Sequence, residues 1–129
     1  MRVIAAFVVS FLIGLASHAQ TVEINYVRAA LKSGSSKELS KYFNQTVEIN
    51  IEGDKSNYSK NQAEYVLRDF FKRNPPVNFI FIHQGASKEG LKYAIGKLEA
   101  QPAIYRVYLL FKKEGDVYYI DTMDFTRDD

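Results

Sequence analysis

Two periodicities follow one another between residues 59 and 126. From Ser59 to Arg73 apolar side chains recur with helical spacing at Ala63, Val66, Leu67, Phe70 and Phe71. Ser59-Lys60-Asn61-Gln62 has the capping-box arrangement, Ser at the cap and Gln three residues on, so the helix starts there, and Asn74-Pro75-Pro76 stops it. Four strand-like runs follow, near 77–84, 91–99, 104–112 and 117–126. They are separated by Gly85 to Gly90, by Gln101-Pro102 and by Lys113 to Asp116. Each gap is hairpin-sized, which predicts an antiparallel meander.

Upstream, Thr21 can cap a helix carrying Ile24, Val27, Ala30 and Leu31 on one face and ending at Ser33-Gly34. Ser35 and Glu38 repeat the capping-box spacing, and Leu39, Tyr42 and Phe43 give a second, shorter helix its apolar side. Val47, Ile49 and Ile51 alternate with Glu48, Asn50 and Glu52, so residues 46–52 read as a strand with one wet face. Gly53-Asp54-Lys55 turns it toward a short strand at Ser56 to Ser59. Three helices on the amino-terminal side, packed on an antiparallel sheet, make an α+β domain.

The first 19 residues read differently. Met1-Arg2 is a short positive start, Val3 to Ala16 is apolar apart from Ser10 and Gly14, and Ser17-His18-Ala19 fits the small-x-small cleavage rule. The apolar run is shorter than the roughly 20 residues that span a bilayer. Residues 1–19 are therefore expected to be a cleaved signal peptide and 20–129 a single exported domain, periplasmic or extracellular, with no membrane span left. The chain has no cysteine, so neither a disulfide nor a lipid-attachment cysteine is available, and the fold must rest on its apolar core.

Charge narrows the partners. Seventeen basic residues face 15 acidic ones, and loss of Arg2 with the signal leaves 16 against 15. The densest basic clusters, Lys72-Arg73 and Lys112-Lys113, are pairs at element ends, so no nucleic-acid footprint is expected. With Ala19 as the last residue removed, His83 is the one histidine left, which excludes Cys/His zinc sites; Gly53-Asp54 and Gly115-Asp116 are too sparse in carboxylates for a calcium loop. No phosphate loop, dinucleotide fingerprint or nucleophile elbow is present. The expectation is a domain without metal or cofactor.

The candidate chemistry is correspondingly small. His83 lies in step with Val77, Phe79 and Phe81, where an imidazole can serve as a general base or ligand contact, or simply as a hydrogen-bonded strand-end residue. Asp121 lies in step with Val117, Tyr119, Met123 and Phe125. On a buried face it would be a base for proton abstraction; the other reading points this row to solvent and turns Tyr118, Ile120 and Thr122 to the core. Tyrosine is abundant, nine in the chain, and Tyr93 and Tyr108 join His83 and Asp121 as candidate ligand-binding residues for a small apolar ligand. Good strand formers also explain those tyrosines.

The strands are apolar on both sides. Phe79 and Phe81 alternate with Ile80 and Ile82, and Tyr105, Val107, Leu109 and Phe111 alternate with Arg106, Tyr108, Leu110 and Lys112. A sheet covered by helices on one side should be more polar on the other, so the outer face is expected to be a homodimer interface centred on Ile80, Ile82, Tyr108 and Leu110. Strong twist, burying both faces within one chain, is the competing explanation.

Taken in order, Tyr42-Phe43-Asn44, Tyr58-Ser59-Lys60, Asp69-Phe70-Phe71, Asn74-Pro75-Pro76, His83-Gln84-Gly85, Lys92-Tyr93-Ala94-Ile95-Gly96 and Tyr105-Arg106-Val107-Tyr108 resemble a family of small exported bacterial proteins catalogued as domain of unknown function 4783. The element order is similar to the nuclear-transport-factor-2-like (cystatin-like) superfold, which implies a cone: helices packed on a curved antiparallel sheet. The resemblance implies no catalytic residues. Two functional readings follow: a non-catalytic binding or interaction domain offering its sheet or a small pocket to a protein or ligand, and a cofactor-free isomerase or dehydratase-like enzyme with His83 or Asp121 as general base.

Overall fold

The computed structural model describes residues 24–86 and 91–128. The signal-peptide segment and the cap at Thr21 lie outside them. Helix α1 occupies residues 24–33 and is followed by α2 (Ser36–Ser40), β1 (Phe43–Ile51), β2 (Asp54–Ser59), α3 (Lys60–Arg73), β3 (Pro76–Ala86), β4 (Lys92–Ala100), β5 (Ile104–Glu114) and β6 (Val117–Arg127). Two helices thus precede the first strand and the third joins the hairpin to the meander.

The local signals act as the sequence predicts. Ser59 accepts from the Gln62 N–H while the Gln62 side chain accepts from the Ser59 N–H, closing the capping box of α3. Ser35 caps α2 through the Glu38 N–H. Gly34 ends α1 at φ +70°, a conformation that a side chain disfavours, and a Cβ there would also collide with the Pro76 ring.

The sheet runs β2-β1-β6-β5-β4-β3. Four of its five pairings are antiparallel, and β1 lies parallel to β6, with Ile49 beside Met123 and Ile51 beside Phe125. This parallel contact ties the amino-terminal hairpin to the last strand, and no local turn signal announces it. β2 and β3 are the edges.

The inner face of the sheet meets the helices. Val27, Ala30 and Leu31 of α1, Leu39 of α2, and Ala63, Leu67 and Phe70 of α3 are buried with Val47, Ile49, Phe79, Leu98, Tyr105, Val107, Leu109, Ile120, Met123 and Phe125. Phe70 is central, with ring centroids 4.7 Å from Phe125 and 5.2 Å from Tyr105. Buried Asn74 has its hydrogen bonds satisfied: it accepts from the Tyr105 hydroxyl at 2.9 Å and donates to the Phe70 carbonyl at 3.1 Å.

Candidate functional site

Two bulges decide where the candidate side chains point. On β3, Phe81 pairs with Gly96 and His83 with Ile95, so Ile82 is an extra residue and the strand changes parity there. His83 therefore does not share a face with Phe79 and Phe81, contrary to the simple alternation, and a second shift between Pro76 and Asn78 makes Val77 an extra residue as well. Phe79 is buried inside, whereas His83 is exposed on the outer face. On β6, Leu110 pairs with Thr122 and Phe111 with Ile120, which makes Asp121 the extra residue. Ile120 before the bulge and Met123 and Phe125 after it all face the core, so neither of the two rows read from the sequence is buried along its whole length.

The outer bulge builds a small cluster. His83 Nε2 lies 2.9 Å from the Tyr93 hydroxyl. The Tyr93 ring reaches it by lying across Gly85, its cross-strand partner, in the space a side chain at that position would fill. Tyr93 also stacks on Tyr108, with centroids 6.4 Å apart and planes 28° from parallel. Three of the four ligand candidates thus meet on one surface.

Asp121 stands apart from them. Its carboxylate faces Lys112 Nζ at 3.5 Å and the Asn44 amide at 3.5 Å. β4 and β5 separate it from His83, three strand spacings or roughly 14 Å measured across the sheet. The two groups do not pair: His83 contacts Tyr93, whereas Asp121 contacts Lys112 and Asn44. Among the described residues no three His, Asp or Glu side chains gather as a metal-holding group, and no helix is long and apolar enough to cross a membrane.

The expected interface residues differ in exposure. Ile80 and Ile82 are 49% and 63% exposed, while Tyr108 and Leu110 are half-buried by their neighbours, as are Tyr93 and Ile95. The register also reveals charges the sequence reading did not single out. Lys97 and Arg106 sit directly opposite each other on β4 and β5, a repulsive arrangement; Glu99 reaches Lys97 only at 4.0 Å, and Arg106 has no ion-pair partner among the described residues. On β1 and β6, Glu48 and Asp124 share the same face. Asp124 contacts the Asn50 amide and Thr126, and among the described residues neither it nor Glu48 has an ion-pair partner.

A second feature lies inside, at the other end of the sheet. Where α3 leaves the β1–β2 hairpin partly uncovered, a cleft of about 520 Å³ opens between Ile49, Ile51, Glu52, Asp54 and Tyr58 on one side and Tyr65, Val66, Asp69 and Arg73 on the other. Tyr65, Asp69 and Arg73 follow at intervals of four, one stripe of α3, and that spacing was the available sequence signal. Its opposite wall depends on how the hairpin docks. None of the four sequence-derived ligand candidates lines it.

The family model for "Domain of unknown function (DUF4783)" matches residues 24–126. A crystal structure of a DUF4783 family protein from Bacteroides ovatus is 31% identical, with TM-score 0.77 over 81% of this chain and 94% of that one. One from Bacteroides uniformis is 28% identical, with TM-score 0.77 over 81% and 96%. A domain of unknown function with a cystatin-like fold from Nostoc punctiforme has TM-score 0.68 over 88% and 78% at 10% identity, a likeness of fold alone. No curated protein matches.

Proposed function

The chain belongs to the DUF4783 family, a domain of unknown function on the nuclear-transport-factor-2-like fold, and from that premise we propose that it is an exported, non-catalytic interaction domain that associates with a second copy of itself through the outer face of its sheet. The observation that carries this reading is the composition of that face. An apolar and aromatic centre (Ile80, Tyr93, Ile95, Tyr108 and Leu110) lies beside a basic pair, Lys97 and Arg106, and an acidic pair, Glu48 and Asp124, kept on different strands.

Such a face is self-complementary. A second copy turned over about a twofold axis running along the strands brings each basic pair toward the partner's acidic pair and relieves the Lys97–Arg106 repulsion. Covering what remains exposed of Ile80 and Ile82 contributes about 1–2 kcal/mol each. Export is supported by the Met1 to Ala19 segment, and an intact mass beginning at Gln20 is the expected form of the secreted chain.

Size-exclusion chromatography with light scattering tests the reading. The exported protein is expected to run as a dimer, and Ile80→Asp with Tyr108→Asp as a folded monomer. A wild-type chain that is monomeric at about 100 µM, where an interface worth only about −5.5 kcal/mol is already half-formed, overturns it.

A further inference from the structure

We infer that the cleft between α3 and the β1–β2 hairpin is a binding site for a neutral saccharide, distinct from the outer face and independent of it. Its volume, about 520 Å³, falls in the range of small-molecule sites. Its floor is aliphatic, made by Ile49, Ile51 and Val66, and a tyrosine stands on each wall, Tyr58 from β2 and Tyr65 from α3. Tyr65 is 64% exposed, with the Arg68 guanidinium 4.8 Å from its centroid.

The polar groups of the cleft select the ligand class. Arg73 places both Nε and Nη2 on the same Asp69 oxygen, Oδ2, at 3.1 and 3.0 Å, which leaves Asp69 Oδ1 as an acceptor and Arg73 Nη1 as a donor. Arg127 likewise holds Glu52 through Oε1 at 3.1 Å and leaves Oε2. Two of the three carboxylates are thus neutralised yet retain a free oxygen each, and only Asp54 is uncompensated. An anion meets this excess of carboxylates unfavourably, and a cation finds one uncompensated carboxylate, Asp54, the other two being held by Arg73 and Arg127. A sugar ring matches both halves of the lining, with hydroxyls for the spare carboxylate oxygens and Arg73 Nη1, and a C–H face for the tyrosine rings and aliphatic floor.

Amide chemical shifts of the exported protein, recorded by NMR during titration with cellobiose, maltose and chitobiose, test this directly, with butylamine and inorganic phosphate as charged controls. At least one disaccharide is expected to shift the Tyr58, Tyr65 and Asp69 amides saturably with a dissociation constant near or below about 10 mM. Tyr65→Ala, a surface change, is expected to weaken binding about tenfold while the outer-face signals stay in place. No saturable shift with any of the three sugars, or shifts with butylamine or phosphate alone, overturns the assignment.

Discussion

The Tyr93 ring occupies the space a side chain on Gly85 would need, and from there its hydroxyl reaches His83 Nε2 at 2.9 Å. A glycine facing an aromatic residue across two strands lets the ring lie flat on the sheet rather than stand into solvent, and the flat ring is what stacks on Tyr108. Gly85→Val is therefore expected to lift Tyr93 off the sheet and break the His83 contact, at a cost of about 1–3 kcal/mol. Urea unfolding reads the stability, and the His83 imidazole NMR signals read the contact. Unchanged imidazole shifts would mean that the pair does not depend on Gly85.

Tyr105 and Asn74 support the core end of α3. Tyr105→Phe keeps the ring against Phe70 but leaves the buried Asn74 Oδ1 without its donor, and is expected to cost about 1–3 kcal/mol in chemical denaturation. A loss below about 0.5 kcal/mol would indicate that water replaces the phenol.

Ser59→Ala removes half of the capping box at the start of α3 and is expected to destabilise by about 1 kcal/mol. The helix lies over the inner face and does not touch the outer one, so the association constant should not change. Thermal unfolding and sedimentation equilibrium on the same variant separate the two effects.

Much of this architecture is legible in the sequence because its signals are local. The Ser59 and Ser35 caps, the Gly34 stop and the hairpin-sized gaps act within a few residues. What escapes is parity. Ile82 and Asp121 each insert one residue into a strand; in β3 both alternating rows are apolar, and in β6 Asp121 falls within an otherwise apolar row, so simple alternation does not show where the faces exchange. His83 thereby leaves the face of Phe79, and Asp121 lies on neither of two clean rows. The parallel β1–β6 contact joins strands far apart in sequence, and the Lys97–Arg106 opposition depends on the exact register of the β4–β5 hairpin, which no local residue pattern marks.

Charge reversal probes the proposed twofold arrangement. Lys97→Glu with Arg106→Glu is expected to weaken self-association by about tenfold or more, and Glu48→Lys with Asp124→Lys to do the same. Mixing the two variants should restore part of the loss, because the changed charges again meet opposite ones. Sedimentation equilibrium of each variant alone and of the mixture gives the comparison, and a mixture no tighter than its components contradicts the twofold arrangement.

The central claim, that the outer face of the sheet is covered by a second copy, is tested most directly by hydroxyl-radical footprinting of residues 20–129 at low and high concentration. Reactivity is expected to fall with concentration at Ile80, Tyr93, Tyr108 and Leu110, and to stay constant at Tyr26 and Tyr65, which are 56% and 64% exposed and lie on the helices. Constant reactivity at the four sheet residues, or protection confined to the helices, would contradict it.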